Sequence, residues 1–205
     1  MKSPSDRTIL EIIELSRILG EFGQIERATR LPDGRPESDS HHSFSLALIS
    51  FELAMQFAPE LDTKKILLYS LVHDLPELVT GDLNTLTATS ADLALKSHQD
   101  KNAFAEVKKI FEKAPSILGA IKAYDTKEDE ESLFVYWVDK IVTIPTHFHD
   151  KGKNLQELGI INKSDIREWY SRTLDKLNKH KQPHVSAVQV LELAYTKLRD
   201  EFFTD

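Results

Sequence analysis

The helical spacing of apolar residues restricts the fold of this chain more than any other feature of its sequence. In the first segment Ile9, Ile12, Leu15 and Leu19 recur every three or four positions, as residues on one face of an α-helix do. Strand-like alternation never extends beyond a few residues, and there is no internal repeat. The spacing therefore predicts an all-α fold. Glycine and proline lie mostly between the predicted helices, without a linker-like cluster, so residues 1–205 are predicted to form a single domain.

The third predicted helix is apolar nearly all round at Ile66–Val72, and we expect it to be central and buried. A polar stretch rich in Arg, Pro and Gly, from Glu26 to Ser40, is predicted to be a loop. Pro76 and Gly81 predict a turn or break. The predicted helices run over about Ile9–Phe22, His42–Phe57, Thr63–Asp74, Ser90–Lys113, Ser116–Tyr124, Glu130–Ile144, Ser164–Asn178 and Val185–Phe203.

Composition and charge exclude several classes of function. The chain has no cysteine, which excludes disulfides, thiolate–zinc sites, iron–sulfur clusters and a cysteine nucleophile. Acidic residues exceed basic ones by 33 to 26, giving a net charge of −7, and such a field repels a phosphate backbone. The first residues lack the apolar segment of a signal peptide, and the longest nearly apolar run, Ile66–Val72, is far too short for a membrane span. We therefore expect a cytoplasmic protein that binds neither nucleic acid nor membrane.

Two predicted helices carry ionisable residues in apolar surroundings. His73 and Asp74 end the third helix directly after Leu71 and Val72, and Asp139 lies among bulky apolar residues. Because burying an unpaired charge is costly, these groups should meet an arginine, a metal ion or hydrogen-bond donors, unless they face solvent. Imidazole and carboxylate together suit a divalent transition metal. A solvated or salt-bridged Asp139 and a core His73 remain the alternatives.

Neighbouring residues extend this candidate site. Glu77 follows Asp74 by three residues, so a continued helix would bring it to the same point, although Pro76 can interrupt that helix. His41 and His42 begin the second predicted helix, where one should point inward and the other outward.

The order His42, His73-Asp74, Asp139 resembles the H…HD…D signature of the HD-domain metal-dependent phosphohydrolases. Two segments are similar to motifs of the YfbR-type 5′-deoxynucleotidases: residues 37–44, ESDSHHSF, resemble ENVAEHSF, and residues 73–82, HDLPELVTGD, resemble HDxxEvxtGD. The segment YWVDK at 136–140 fits their closing aspartate helix. The resemblance runs from about residue 27 to 139 and implies an HD-domain helical bundle, with C-terminal helices at about 164–203 packing on it.

This resemblance implies a metal centre. It implies that His42, His73, Asp74 and Asp139 bind one divalent ion, which could be Mn, Co, Ni, Zn, Fe or Mg, because two histidines and two aspartates accept all of these. It also implies a homodimer.

The same resemblance implies how a substrate is bound and cleaved. Glu77 would be the acid/base residue beside the attacking water, and Asp82 would contact the sugar. Arg27 would bind the phosphate, with Arg35 as a second candidate, since an arginine can hold phosphate oxygens bidentately.

The expected function is therefore a metal-dependent phosphomonoesterase that cleaves nucleoside or deoxynucleoside 5′-monophosphates into nucleoside and phosphate. A (p)ppGpp hydrolase or cyclic-nucleotide phosphodiesterase of the same superfamily is one alternative; the former is disfavoured because residues 75–78 lack a Glu-Asp pair. A catalytically silent helical module with a structural metal is another.

The chain departs from the motif at His41, at Ser38-Asp39, and at Ala28, where some relatives carry an aromatic residue against the sugar.

Overall fold

The computed structural model describes residues 5–84, 87–181 and 184–205, and these residues form a predominantly helical fold, which confirms the all-α prediction. Apart from the second helix and the helix that carries Asp139, each end of a predicted helix lies within three residues of an observed one. In chain order the elements are α1 (Asp6–Phe22), β1 (Glu26–Arg30), β2 (Pro36–Ser38), α2 (Asp39–Phe57), α3 (Thr63–Val72), α4 (Glu77–Thr80), α5 (Ser90–Ile110), α6 (Pro115–Thr126), α7 (Glu130–His149), α8 (Lys153–Glu157), α9 (Lys163–Leu177) and α10 (Val185–Phe202).

Two apolar clusters form the core of the described residues. The larger one joins α2, α3, α7, α9 and α10, with fully buried side chains such as Leu46 and Trp137. The smaller one joins α1, α5 and α6 to the end of α3 through Val72. Helix α3 is therefore central, as predicted. The expectation that it is buried all round is wrong for one face, because Leu68 and Leu71 are 41% and 47% exposed.

Residues 26–40, predicted to be a loop, instead contain an antiparallel hairpin of β1 and β2, with Glu26 opposite Ser38. The side chains that this hairpin buries are polar: the Thr29 hydroxyl donates to Glu37 Oε2 at 2.6 Å, and both residues are buried. Since the inward face carries no apolar residues, the alternation that reveals a strand is absent, and the prediction was wrong here.

Helix α2 begins at Asp39, three residues before the predicted start at His42. The Ser38 side chain caps it by accepting a hydrogen bond from the His41 backbone N–H at 3.3 Å. Asp39 thereby lies in the first turn, where the helix dipole stabilises a negative charge. The early start also orients the two histidines as expected: His42 is fully buried and His41 is exposed.

Helix α7 continues through Pro145 to His149 instead of ending at Ile144. Proline disfavours helix, but the buried side chains of Ile144 and His147 hold this part of α7 against the core. The short helix α8, which was not predicted, follows and buries Leu155.

His147 gives α7 a pH-dependent contribution to stability. It is 2% exposed and packs edge-on against Trp169, and burial lowers the pKa of its imidazole to about 4, against the opposing effect of Asp150. Because the unfolded chain binds this proton more tightly, stability is lost as the pH falls from about 6.5 towards 4. Between pH 7 and pH 5 we expect about 2 kcal/mol of the free energy of unfolding to be lost through this residue.

Urea unfolding of His147→Leu at both pH values measures that contribution. The acid-induced loss should shrink by about 2 kcal/mol relative to the wild type. His149→Gln, at an exposed histidine of the same helix, is the control and should keep the wild-type loss. Equal losses in wild type and His147→Leu would contradict the prediction.

In the part of the chain that the structure describes, no helix combines the length and apolar character needed to cross a membrane.

Candidate metal centre and active-site cavity

Three helices bring the residues of the predicted metal centre together. His42 lies in the first turns of α2, His73 and Asp74 directly follow α3, and Asp139 lies midway along α7. These helices pack on one another through the larger apolar cluster. His42 is fully buried, and His73 and Asp139 are 9% and 5% exposed. The packing of apolar faces therefore places imidazoles and a carboxylate in a shared interior site.

The ligand atoms of His42, His73 and Asp139 all lie within 4.8 Å of one another. His42 Nε2 is 2.9 Å from Asp139 Oδ1, and His73 Nε2 is 3.8 Å from the same oxygen. Asp74 adjoins this group, with its Oδ2 2.9 Å from His73 Nε2. The structure thus brings together all four residues that were predicted to bind the ion.

The hydrogen bonds of His73 fit a metal ligand. Its Nδ1–H donates to the Ser70 backbone carbonyl at 2.9 Å, which directs the lone pair of Nε2 into the site. His73 Nε2 is buried and makes no hydrogen bond. Burial opposes a positive charge on this ring, but Asp74 and Asp139 raise its pKa, so a proton and a divalent ion compete for one nitrogen. Two imidazoles with carboxylates form a donor set that divalent transition metals accept.

Asp139 also contacts a cation on its own helix. The ammonium of Lys140 lies 2.5 Å from Asp139 Oδ2. Burial alone would raise the pKa of Asp139, but Lys140 and His42 lower it well below its usual range. The carboxylate is therefore ionised and able to bind a cation.

Arg27, on β1, reaches the edge of the metal centre. Its Nη1 donates to Asp74 Oδ2 at 2.8 Å and to Asp39 Oδ1 at 3.1 Å. Burial opposes its charge, but Asp74, Asp139 and Asp82 raise the pKa of this guanidinium. The hairpin thus places a permanent positive charge beside the carboxylates.

Two buried acids that were not predicted as site residues support this arginine. Glu37 Oε2 lies 3.8 Å from both Arg27 Nε and His42 Nδ1. Asp39 is fully buried. Its burial and the charge of Asp74 raise its pKa to about 6, against the opposing effect of Arg27. The departure from the motif at residue 39 was the only sequence signal for this pairing.

Glu77 begins the single turn α4, directly beyond Pro76. Its Oε2 is buried without a hydrogen-bond partner, and its Oε1 lies 3.7 Å from Lys96 Nζ. Burial and the charges of Asp74 and Asp82 raise the pKa of this carboxyl to about 10. Without an ion, the site thus favours the protonated form of Glu77, and a bound divalent ion would shift its pKa back down.

Gly81 turns the chain so that Asp82 faces the same site. Its φ of 68° lies in the left-handed region that glycine adopts without strain. One ligand oxygen each of Asp39, Glu77 and Asp82 lie within 4.8 Å of one another. Asp82 Oδ1 is 4.0 Å from Arg27 Nη1. Lys96, which the sequence analysis did not single out, donates to the Gly81 carbonyl at 2.6 Å and supports this turn from α5.

Arg35 is not brought to this site. Its side chain is 75% exposed and pairs with Asp33 at 2.7 Å in the hairpin turn. The structure therefore leaves Arg27 as the arginine at the metal centre, because the inward face of the hairpin carries Arg27 and the exposed turn carries Arg35.

A cavity of about 410 Å³ opens onto these residues. Arg27, Asp74, Glu77, Asp82 and Asp139 line one end. The cavity continues along α7 to residues of α9 and α10, which the sequence analysis did not connect with the site. Its other lining residues include Ala28, Lys96, Tyr136, Lys140, Thr143, His147, Trp169, Arg172, Thr173, Lys176 and Tyr195.

Comparisons with known proteins agree with this geometry. The HD domain family model matches residues 20–182. The 5′-deoxynucleotidase HDDC2 of Dictyostelium discoideum is 26% identical over 179 residues, which cover 81% of this chain and 90% of that protein.

Solved structures share the fold. A predicted metal-dependent phosphohydrolase from Magnetospirillum magnetotacticum has a TM-score of 0.69 and 20% identity, covering 100% of this chain and 99% of that one. A conserved hypothetical protein from Pyrococcus furiosus has a TM-score of 0.60 and 24% identity, covering 92% and 99%. The family model covers most of the sequence, and the H…HD…D residues converge on one buried site. The chain therefore belongs to the HD domain family of metal-dependent phosphohydrolases.

Proposed function

We propose that this protein is a phosphomonoesterase that hydrolyses nucleoside 5′-monophosphates to nucleoside and phosphate. The observation that carries the proposal is that Asp139, which shares a buried ligand group with His42 and His73, lines the same cavity as Arg27 and Glu77. A metal centre without the arginine and the protonated acid would fit a structural ion equally well. The name of the Dictyostelium relative supports a nucleotide substrate.

His42, His73, Asp74 and Asp139 would hold the divalent ion. When bound, such an ion activates water near neutral pH and neutralises charge on phosphoryl oxygens. The four side chains come from α2, from the two residues that directly follow α3 and from α7, so the packing of these helices maintains their positions.

Arg27 would bind the substrate phosphate. Its guanidinium already bridges Asp74 and Asp39, so it is held in place before a substrate arrives. Oxygens of a phosphate compete for its remaining N–H groups, one of which, on Nε, is buried without a hydrogen-bond partner. The arginine then balances negative charge that the reaction concentrates on the phosphoryl group.

Glu77 would supply the proton that the reaction needs. Water adds to phosphorus, the bond from phosphorus to the 5′-oxygen breaks, and the leaving oxygen takes up a proton. Burial and neighbouring carboxylates raise the pKa of this carboxyl to about 10, a bound ion lowers it again, and a carboxyl under these opposing effects can donate that proton near neutral pH. The resulting carboxylate then takes up the proton that the attacking water releases, which restores the acid.

Asp82 and the aromatic wall would hold the nucleoside. Asp82 lies beside Arg27 and Glu77 in the cavity and can accept a hydrogen bond from a sugar hydroxyl. The rings of Tyr136 and Trp169 line the cavity further from the metal centre, where a base can stack. Ala28 also lines the cavity and adds no ring against the sugar, so we propose no preference for deoxyribose over ribose.

Arg27→Ala should weaken substrate binding much more than metal binding. Losing a charge-assisted contact to phosphate is expected to cost about 2–3 kcal/mol, seen as a raised KM. Arg27→Lys should recover only part of it, because an ammonium lacks the planar fork. Since Arg27 also pairs with Asp39 and Asp74, both variants should unfold at lower temperature. Steady-state kinetics with metal analysis measure these effects, and Arg35→Ala is the control. Wild-type KM in Arg27→Ala would contradict the assigned role.

Phosphate release from a panel of nucleoside 5′-monophosphates tests the proposed function. The protein is first chelated and then reconstituted with one divalent ion at a time, and ribose and deoxyribose forms of each base are compared. We expect release from at least one 5′-monophosphate and none from the matching cyclic nucleotide. Cleavage of the cyclic nucleotide alone would favour a phosphodiesterase, and no release with any ion would favour a structural metal.

A further inference from the structure

One stretch of the cavity, which begins beside the metal centre at Lys140 and continues along α9, is positively charged. Lys140 of α7 and Arg172 and Lys176 of α9 all line it. We call these three residues the basic lobe. The carboxylates that line the cavity, Asp74, Glu77, Asp82 and Asp139, belong to the metal centre and its neighbours. The acidic lining groups thus gather at the metal centre, where Arg27 and Lys96 also lie, whereas the two charged lining residues of α9 are both cations.

Ring contacts show how α7 and α9 form the two walls. Tyr136 contacts His180 with ring centroids 5.2 Å apart, and His147 contacts Trp169 at 5.9 Å. His180 lies just beyond the end of α9, so positions that advance along α7 face positions that go back towards the start of α9, and the two segments run antiparallel. This register places Lys140 opposite Lys176, between the two ring contacts.

The cavity is longer than one phosphate requires. Its lining residues on α7 extend from Tyr136 to His147, eleven residues or about 16 Å of helix. On α9 they recur at helical spacing, at Trp169, Arg172, Thr173 and Lys176, so one face of α9 borders the cavity.

The cations of the basic lobe are weakly compensated. Lys176 has no ion-pair partner among the described residues, and burial with the neighbouring charges of Lys140 and Arg172 lowers its pKa. Arg172 Nε is 3.9 Å from Glu168 on an exposed part of the same helix, a contact that contributes little. Lys140 is paired with Asp139, but a divalent ion bound to this carboxylate would neutralise part of its charge and weaken the ion pair.

The floor beneath these cations is rigid. Tyr195 of α10 packs on Trp169 with centroids 4.8 Å apart, and its hydroxyl lies 3.1 Å from Thr173 Oγ1. Tyr195 and Thr173 are both buried. Arg172 and Lys176 therefore project from a packed segment of α9, with the Arg172 side chain 49% exposed.

We propose that the basic lobe binds a second phosphate of the substrate, so that the preferred substrates are nucleoside bisphosphates that carry one phosphate on the 5′-carbon and another on the ribose. This inference rests on the proposed function, which assigns the scissile phosphate to the metal centre. A nucleoside 5′-monophosphate would present only a neutral base or a hydroxyl to Arg172 and Lys176, so no part of the substrate would neutralise their charge. A second phosphate compensates it, and Arg172 can bind its oxygens bidentately.

The test compares one nucleoside 3′,5′-bisphosphate with the 5′-monophosphate of the same base, and follows release of the 5′-phosphate. Wild-type protein should prefer the bisphosphate by about 10- to 100-fold in kcat/KM, the range expected for one or two charge-assisted contacts. The Arg172→Gln/Lys176→Gln double variant should lose most of that preference. Arg167→Gln, at an exposed arginine of α9 outside the cavity, is the matched control and should keep it.

Calorimetry with the same bisphosphate provides a readout that does not depend on turnover. The double variant, made in a Glu77→Gln background, should bind the bisphosphate about 10- to 100-fold more weakly than Glu77→Gln alone. Equal kcat/KM for the two nucleotides in the wild type, or a preference that survives in the double variant, would overturn the inference and leave the phosphomonoesterase proposal standing. Failure to release phosphate from either nucleotide would instead count against the proposed function itself.

Discussion

Asp139→Ala and His73→Ala proteins are expected to lose bound divalent metal and phosphatase activity together. Both residues contribute atoms to the buried ligand group, and each substitution removes a donor that no neighbouring side chain replaces. We expect activity to fall by at least about 10³-fold, since the ion supplies both water activation and charge neutralisation. Metal analysis and phosphate release, measured on the same samples, test this expectation.

Substitution of Asp139 also disturbs its contacts with His42 and Lys140. Asp139→Asn, which keeps the shape of the side chain, separates loss of the ion from loss of packing. His41→Ala is the matched control, because His41 is exposed one position before the buried His42. It should keep the metal. Full metal occupancy in both His73→Ala and Asp139→Ala would exclude the proposed centre.

Glu77→Gln should retain the fold and the metal while turnover falls by about 10²- to 10⁴-fold, the usual contribution of a positioned acid or base. Glutamine resembles the protonated carboxyl in shape and charge, and the raised pKa of Glu77 indicates that the protonated form is the one that the site favours. It cannot release or accept the proton. Thermal unfolding, metal content and kcat on the best substrate of the panel distinguish these effects.

The Glu77 result separates a catalyst from a structural metal site. Glu52→Gln, at an exposed glutamate of α2, is the control and should leave all three measurements unchanged. Wild-type turnover in Glu77→Gln with wild-type metal content would remove Glu77 from the mechanism.

The residues of the candidate metal centre could be singled out from sequence because most of them lie on or directly after strongly apolar helices. Around His73-Asp74 and Asp139 the apolar pattern indicates burial, and burial forces ionisable groups to find partners. Since adjacent residues on a helix point in different directions, one of His41 and His42 was expected to point inward, and the resemblance to the H…HD…D signature selected His42. The apolar pattern of each helix also explains why the predicted helices agree closely with the observed ones.

The hairpin and its network could not be predicted in the same way. Thr29 and Glu37 are buried polar residues that satisfy one another, so no apolar periodicity marks their strands. The contact from Arg27 to Asp74 joins residues 47 positions apart, and no local pattern encodes such a pairing. The basic lobe depends on the antiparallel register of α7 and α9, which only the packed structure supplies.

Titration of chelated protein with one divalent ion, with bound metal and phosphate release followed on the same sample, tests the central claim most directly. The proposed centre at His42, His73, Asp74 and Asp139 predicts that hydrolysis of the best nucleoside 5′-monophosphate rises in proportion to bound metal and saturates at about one ion per chain. Phosphate release that stays constant while the site fills, or that persists without bound metal, would contradict it.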